Sequence, residues 1–289
     1  MWVLYAFGSA FFAGLTSVLA KSGVTTTPSS LATALRTVVV LIGAIVMVVI
    51  SGSAPTLMDL DSRTWLFLVL SGLATGASWL CFFKALQLGP VSTVSAIDKS
   101  SIVLTVLLAI VLLGETEDLA VRLIGIALIG IGTLLMVEWR PAPGSARIGA
   151  WVFYAVGAAV FAALTAILGK VGITGVESNL GTAIRTVVVL AMAWLVVGLT
   201  KEGSAIKEIP RKELTYIALS GLATGASWLC YWRAMQEGPA SVVAPIDKLG
   251  IVVTVVLAWI FFHERQSKKA LAGLGLIVVG TLVMIIPTS

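Results

Sequence analysis

Two aspartate–lysine pairs lie within apolar stretches of the sequence, where charged side chains are rare. Asp98 and Lys99 occur in VSAIDKSSIVL, and Asp247 and Lys248 occur in VAPIDKLGIVV. A carboxylate in such surroundings can exchange a proton or bind a cationic group, and an ammonium can bind an anionic group. An ionised group near the centre of a bilayer costs about 3 kcal/mol on insertion scales, so it normally faces a partner or a wet cavity. The two pairs are therefore the first candidates for a functional site.

Arg36 and Arg185 are the other charged residues that lie well inside apolar stretches. On helices, Arg36 and Asp98 would lie about 8 Å and 10 Å from the same membrane face, and this similar depth permits an ion pair. With every group ionised, each set of Arg, Asp and Lys carries one spare positive charge, which favours a carboxylate-bearing or zwitterionic ligand. The alternative is that these charges neutralise one another and fix the packing of the helices.

Hydroxyl and aromatic side chains recur near the charged pairs. Thr105 and Thr254 each follow an aspartate by seven residues, so a continuous helix would place each threonine on the face of its aspartate. Aromatic rings at helical spacing form one face of a neighbouring helix in each half, and they could line a ligand path, bind a cation or form a belt at the membrane interface. The aromatic candidates for the site are Trp79, Phe83, Trp228 and Trp232.

The elements that position these residues are membrane-spanning helices. Charged residues form 11% of the 289-residue chain and apolar residues 58%, whereas charged residues form about a quarter of an ordinary soluble domain. Runs of about 20 apolar residues recur from end to end, each long enough as a helix to cross a hydrocarbon core of roughly 30 Å. Stretches such as TVVVLIGAIVMVVI do not alternate, which excludes a transmembrane barrel. We predict an all-α integral membrane protein.

Ten spans are predicted, joined by connections too short to form a separate domain. The first is expected to be a span rather than a signal peptide, because it lacks a basic leader and aligns with an internal segment. Glu115 and Glu264 fall at helix ends and are predicted to be solvated. The predicted spans are residues 2–20, 31–51, 65–84, 91–113, 119–137, 150–169, 180–200, 214–234, 240–262 and 270–286.

The second half of the chain repeats the first at an offset of 149 residues, and LSGLATGASWLC at 70–81 returns unchanged at 219–230. We predict a first five-helix repeat at 1–138, a linker at 139–149 and a second five-helix repeat at 150–289. Because five is odd, the second repeat enters the membrane from the opposite side, so the repeats must be inverted, with a site between them near the midplane. Inversion also predicts two half-sites, one displaced toward each membrane face, that open alternately.

Interruptions and small residues are expected to shape this site. Adjacent residues on a helix point about 100° apart, so each aspartate and lysine can face one partner only where the backbone is irregular. Pro245, two residues before Asp247, favours such an irregularity. Glycines at small-xxx-small spacing in the third helices, and further glycines in the fifth helices, predict close helix packing. They are Gly72, Gly76, Gly221 and Gly225, and Gly125, Gly130, Gly132, Gly273, Gly275 and Gly280.

The positive charge of the chain is explained by its topology. The formal net charge of +5 fits positive loops and contacts with anionic lipids, so no nucleic-acid partner is expected. Eleven loop lysines and arginines fall on the side opposite the termini and four on the side of the termini, which places both termini outside.

Signatures of an enzyme or an ATP-driven pump are absent from the sequence. It contains no HExxH pair, GxSxG elbow, Walker loop or cysteine–histidine cluster. Cys81 and Cys230 lie in apolar segments, where a thiol behaves as a small hydrophobe. We therefore expect no enzymatic activity, no cofactor and no metal.

Several motifs together resemble the drug/metabolite transporter superfamily, and in particular its EamA type. They are the paired five-helix units, SGLATGASWLC followed by an aromatic and basic helix end, the G-P-x-S-x-V-x-x-I-D-K entry to the fourth helix, and a GE or HE helix end. The resemblance covers the whole chain. It implies ten helices in two inverted repeats, alternating access, and export of amino acids or other small metabolites from bacterial cells. It also implies cytoplasmic termini, the reverse of the charge count.

These observations predict a secondary active transporter, an exporter of a small polar metabolite such as an amino acid, in a bacterial inner membrane. Its expected partners are a small-molecule substrate and the lipid bilayer, with proton coupling possible and a monomer or homodimer as the assembly. A passive channel and a structural or lipid-handling membrane protein are the alternatives. A channel would line a continuous pore with polar residues, whereas apolar helix follows each charged pair.

Overall fold

Every regular element in the described residues is helical, as predicted for an all-α membrane protein. The computed structural model describes residues 1–23, 26–88, 94, 97–136, 150–263 and 266–285, so the predicted linker at 139–149 and Glu264 lie outside the described residues. Two 3-10 helices, Ala54–Asp59 and Glu202–Glu208, lie in connections. The α-helices are α1 (Trp2–Gly23), α2 (Ser29–Ile50), α3 (Ser62–Leu88), α4 (Ser101–Leu113), α5 (Leu119–Met136), α6 (Ala150–Ile173), α7 (Ser178–Thr200), α8 (Arg211–Glu237), α9 (Ala240–Lys248), α10 (Gly250–Phe262) and α11 (Lys268–Ile285).

Eight helical segments in the described residues are long and apolar enough to cross a membrane. They are α1, α2, α3, α5, α6, α7, the combined α9 and α10, and α11. α8 has 27 residues but carries charged residues near both ends, which lower its mean hydropathy. The fourth predicted span, residues 91–113, begins outside the described residues. The count of ten spans therefore stays a prediction, whereas the membrane-protein class is confirmed.

The fifth helices of the two repeats, α5 and α11, cross each other in antiparallel orientation. Gly132 packs against the backbone of Gly273, and Gly125 packs against that of Gly280, so residue numbers fall along α11 as they rise along α5. A Cβ added at Gly132 would lie 2.5 Å from the Gly273 carbonyl oxygen, so this approach requires glycine. The contact confirms that equivalent helices run in opposite directions and that the fifth helices pack on each other. Gly130 and Gly275 lie away from it.

Other helices pack against helices of the opposite repeat: α1 packs on α8, and α3 packs on α6. Ser227 Oγ donates to the Ser9 carbonyl at 3.1 Å, and Ser78 Oγ donates to the Ala158 carbonyl at 2.9 Å. Each residue of the first contact differs from its counterpart in the second by the 149-residue repeat offset. The two halves are therefore related by a local two-fold axis that places like contacts on both sides of the interface.

The third helices approach the second helices of the opposite repeat at the predicted small residues. A Cβ added at Gly72 would lie 2.6 Å from Val188 Cβ, and one added at Gly221 would lie 2.7 Å from Val39 Cβ. Such separations exclude a side chain, which confirms the close-packing interpretation of these glycines.

The fourth membrane segment of each repeat is interrupted directly after its aspartate–lysine pair. α9 ends at Lys248, and α10 begins at Gly250. In the first repeat, Ser100 forms a turn between the helical residues 97–99 and the start of α4 at Ser101. Pro245 lies inside α9 and lacks the N–H of a normal helical hydrogen bond. The predicted irregularity at the pairs is thus confirmed.

Candidate functional site

Both aspartate–lysine pairs line one cavity of about 420 Å³. The cavity lies where α1, the interrupted fourth segments of both repeats, α5 and α11 converge. Its apolar walls come from Ala13, Ile102, Ile129, Met136, Gly250, Ile251 and Ile277, and its polar lining from Ser17, Asp98, Lys99, Thr133, Asp247, Lys248 and Thr254.

The cavity joins charges from the two repeats into one electrostatic site. Both carboxylates are half-buried, and both lysines are exposed within it. Asp98 interacts electrostatically with Lys99 of its own segment and with Lys248 of the other repeat. The expectation of two separate half-sites toward opposite faces is therefore wrong for this structure. The reason is that both segments are interrupted where the repeats cross, so both pairs turn toward the same space.

The hydroxyl groups that line the cavity differ from those that the sequence pattern predicted. Thr254 lines it, as expected, and donates to the Gly250 carbonyl at 3.0 Å. Thr105 does not, because it is buried and donates to the Ser101 carbonyl at 2.9 Å. Sequence reasoning missed Ser17 and Thr133, which lie on apolar helices.

The two arginines lie away from the residues that line this cavity. Arg185 is buried and donates from Nε to Ser71 Oγ and from Nη2 to Thr75 Oγ1, each at 2.7 Å. Arg36 donates from Nε to Ser220 Oγ, the repeat counterpart of Ser71, at 3.1 Å. Across the described parts of the chain, neither arginine forms an ion pair, so the Arg–Asp pair that similar depth permits is not formed there.

Hydroxyl groups on the facing third helix explain this change of partner, because they satisfy guanidinium donors without an aspartate. The lining of the cavity then contains two aspartates and two lysines, so its charges balance. The spare positive charge that was expected for each set belongs to the arginine and does not act inside the cavity.

In the second repeat, the aromatic face packs against the protein's own arginine. The guanidinium of Arg185 lies 4.1 Å from the ring centroid of Trp232 and 5.7 Å from that of Trp228. Trp232 is only 2% exposed, which excludes it from an interfacial belt. Trp79 is partly buried against an apolar cluster that includes Leu31. The side chain of Phe83 lies outside the described residues, and the other three rings are not among the cavity-lining residues.

Glu115 forms a polar bridge that sequence reasoning missed. Its carboxylate accepts hydrogen bonds from the backbone N–H groups of Ala240 and Ser241, at 2.8 and 2.9 Å, and from Ser241 Oγ at 2.5 Å. It also forms an ion pair with the buried Arg122 at 3.3 Å. The prediction that Glu115 is solvated is wrong, because the free N–H groups at the start of α9 attract a carboxylate. Glu115 thus ties the first repeat to the second.

A lysine of the second repeat lies in the same region as Glu115. Lys170 Nζ donates to the carbonyl oxygens of Met235 and, at 2.7 Å, Gly238, which are orphan acceptors at the end of α8. In the described ranges, no three His, Cys, Asp or Glu side chains are grouped to hold a metal ion.

Two proteins with similar sequence are named as a transporter and as a flippase subunit. An uncharacterized transporter in the cobO 3′ region of Sinorhizobium sp is 45% identical over 134 residues, which is 95% of that protein and 46% of this chain. The probable 4-amino-4-deoxy-L-arabinose-phosphoundecaprenol flippase subunit ArnE of Klebsiella pneumoniae is 28% identical over 74 residues, 66% of that protein and 26% of this chain.

One solved crystal structure superposes with a TM-score of 0.74 at 19% identity, over 98% of this chain and 97% of the other, which shows a shared fold. The model of the EamA-like transporter family matches residues 1–138 and, a second time, residues 149–286. Both halves that build the cavity therefore carry the family pattern, and the chain belongs to the EamA-like transporter family.

Proposed function

We propose that this protein is a secondary active transporter that exports a small polar metabolite, such as an amino acid, by alternating access across a bacterial inner membrane. The observation that carries the proposal is the convergence of Asp98, Lys99, Asp247 and Lys248, one pair from each repeat, on one cavity. A site shared by inverted repeats changes its exposure when the repeats rock against each other.

The size and charge of the cavity favour a small zwitterionic solute. Its volume of about 420 Å³ lies near the lower end of the roughly 300–1,000 Å³ that small-molecule sites occupy. Carboxylates from Asp98 and Asp247 can receive an ammonium group, and the two lysines can receive a carboxylate. A solute that carries both groups leaves no charge in the cavity unpaired, which lowers the cost of burying it.

The cavity and the Glu115 bridge lie toward opposite membrane faces. The α5 residues that line the cavity are Ile129, Thr133 and Met136, in the second half of the helix, whereas Glu115 precedes its first residue. An 18-residue helix is about 27 Å long. In our proposal, the bridge closes the face at which α5 begins, and the substrate leaves the cavity on that side only after the bridge opens.

A proton gradient, or the gradient of the substrate itself, drives the cycle in this proposal. A half-buried aspartate in a membrane cavity is a group that can gain a proton on one side and lose it on the other. Neutralising one carboxylate would also weaken the hold on a substrate ammonium, which links proton uptake to substrate release.

Transport by purified protein in proteoliposomes tests the proposal. The wild-type protein should accumulate radiolabelled neutral amino acids under an imposed pH step, with saturation and counterflow. Combining Asp98→Asn with Asp247→Asn should abolish this accumulation. Asp59→Asn makes the same chemical change on an exposed 3-10 helix and should leave it unchanged. If the double variant transports at the wild-type rate while only its yield falls, the charges are structural and the proposal fails.

A passive channel is separated by the same assay, because a channel would show neither saturation nor counterflow. A lipid-handling role is the second candidate, favoured by an apolar groove of about 330 Å³ among α2, α3 and α7 and by the name of the Klebsiella relative. Movement of a fluorescent phospholipid between leaflets of the same proteoliposomes would support it, and its absence alongside amino-acid counterflow would exclude it.

A further inference from the structure

Asp98 and Asp247 occupy equivalent places in the two repeats, but their hydrogen-bond donors differ. Ser9 on α1 donates from Oγ to Oδ1 of Asp247 at 2.5 Å. No donor in the described ranges lies within hydrogen-bond distance of the Asp98 carboxylate. Both carboxylates nevertheless line the same cavity. The two copies are therefore chemically distinct within one site.

Ser9 is fixed by contacts with α8. It is fully buried, its Oγ lies 3.2 Å from Ser227 Oγ, and its carbonyl accepts from Ser227 Oγ at 3.1 Å. Ser227 Oγ donates its proton to the Ser9 carbonyl, so the single hydroxyl proton of Ser9 remains available for Oδ1 of Asp247. A donor held in this way stabilises the ionised form of the carboxylate.

Ala158 occupies the position of Ser9 in the second repeat. Its carbonyl accepts from Ser78 Oγ just as that of Ser9 accepts from Ser227 Oγ. A Cβ added at the neighbouring Gly157 would lie 3.4 Å from Cys81 Sγ, and one added at Gly8 would lie 3.4 Å from Cys230 Sγ. α6 therefore repeats the placement of α1, but the methyl group of Ala158 has no proton to donate to a carboxylate. At this position, the two repeats differ by one oxygen atom.

The charged and titratable neighbours of the two carboxylates are shared only in part. Lys248 acts on both carboxylates, and Lys99 acts on Asp98. Tyr231 of α8 also interacts with Asp247. The residues that α5 and α11 contribute to the cavity are not titratable; they are Ile129, Thr133, Met136 and Ile277. Among the described residues, the Ser9 hydroxyl is the hydrogen-bond donor that the Asp247 carboxylate has and the Asp98 carboxylate lacks.

We propose that Asp98 is the carboxylate that exchanges a proton, while Asp247, held ionised by Ser9, remains a permanent negative charge of the cavity. The inference rests on the proposed proton-coupled function. The Asp98 carboxylate gains a proton from water on one face to become a carboxyl group. After the repeats rock, the same O–H bond breaks and the proton passes to water on the other face. Ser9 is a positioning residue, since it acts through Asp247.

Infrared titration of the purified protein in lipid nanodiscs tests the assignment with the proton as the only ligand. As the pH is lowered, the carbonyl stretch of a protonated carboxyl group should appear in the wild type. The chain has 14 aspartates and glutamates, so the band is compared between each variant and the wild type: Asp98→Asn should lose one component, which Asp247→Asn retains. Asp59→Asn, on the exposed 3-10 helix, should retain it as well. Loss of the band in Asp247→Asn with retention in Asp98→Asn would overturn the proposal.

Exchanging the single oxygen between repeats tests the role of Ser9. In Ser9→Ala, Asp247 should protonate at a pH higher by about one to two units, the equivalent of one hydrogen bond to a charged group. The carboxyl band that Asp247 contributes in Ser9→Ala should disappear when Asp247→Asn is combined with Ser9→Ala. Ala158→Ser is the matched variant and should lower the midpoint for Asp98.

If Ser9→Ala lowers the melting temperature but leaves every midpoint unchanged, Ser9 is structural and its assigned role is wrong. The titration requires no transport, so the proton assignment can hold even when the proteoliposome assay fails. An intact transport activity with an unchanged band in Asp98→Asn would instead retain the proposed function and remove this inference.

Discussion

Replacing Glu115 by glutamine should weaken the bridge between the repeats and populate a state that is open at the face where α5 begins. The Glu115 carboxylate accepts two backbone hydrogen bonds and one hydroxyl hydrogen bond from the start of α9, and it pairs with Arg122. Glutamine keeps the shape and one acceptor oxygen, but its amide group presents hydrogens to N–H donors. Arg122, which is 6% exposed, also loses its anionic partner.

The size of the effect follows from these contacts. A hydrogen bond to a charged group contributes about 1.5–3 kcal/mol, and a carboxylate at a helix start adds about 0.3–1 kcal/mol. Because glutamine retains part of the bonding, we expect the closed state to lose about 2–4 kcal/mol in total. At 1.4 kcal/mol for each factor of ten, the ratio of closed to open protein should fall by about 30- to 700-fold.

Electron–electron distance measurements between spin labels check this prediction. Labels at Glu117 and Glu237, which are exposed on that face and belong to different repeats, should report a second, longer distance in Glu115→Gln. Cys81 and Cys230 are free thiols and must first be replaced. Glu177→Gln is the matched control, because Glu177 caps the N–H groups of Asn179 and Leu180 in its own helix.

The control should lower the melting temperature without changing the label distance. Two results would refute the reasoning: distance distributions that coincide in wild type and Glu115→Gln, or a longer distance that Glu177→Gln also produces. The first would mean that the bridge does not control the closed state. The second would mean that any lost cap on this face loosens the protein.

Three further predictions concern stability. Gly132→Leu should destabilise the protein by about 1–3 kcal/mol through overpacking against α11. Gly275→Leu should not, because no atom lies within 4 Å of a Cβ added there. Thermal melts of the two variants in detergent check this difference. Arg185→Lys should lower the melting temperature more than Arg211→Lys at an exposed helix start, because an ammonium cannot both donate to two hydroxyl groups and stack on Trp232. Hydrogen bonds from the Thr64 side chain and backbone hold the pKa of Asp61 below its usual 3.8, so its contribution is present above that pH and is lost as the pH falls through the lowered value. The melting temperatures of Asp61→Asn and wild type should therefore differ at neutral pH and converge in acid, and a difference that persists in acid would contradict this assignment.

Helix-level features of this protein could be predicted because they depend on local periodicity and on counting. The length of an apolar run shows that it can span a membrane as a helix. An odd number of spans in each repeat shows that the repeats are inverted, and neither inference requires knowledge of a contact. The interruption beside Asp247 was likewise signalled locally by Pro245. The glycines of α5 and α11 indicated close packing, although only the structure shows which of them meet.

Partner choice could not be predicted in the same way. Arg36 and Asp98 have similar depth in the sequence pattern, yet Arg36 binds a serine of the other repeat. The depth of a residue in the membrane does not determine the direction in which its side chain points. A hydroxyl group on a facing helix can therefore accept from an N–H donor in place of a more distant carboxylate. Glu115 was mistaken for a solvated residue for a related reason, since the N–H groups that bind it lie 125 and 126 residues away along the chain.

By itself, the sequence determined that this is a helical membrane protein made of two inverted copies and that each copy carries an acid and a base within the bilayer. These properties follow from the hydropathy of each segment and from the repetition of the sequence, and both can be read without knowing which helices are in contact. The tertiary structure alone decided that both pairs share one cavity, that the arginines are held elsewhere, and that Ser9 makes the two aspartates unequal. Those properties depend on distances of about 3 Å between helices that are far apart in the chain, and such distances are set only when the two repeats pack together.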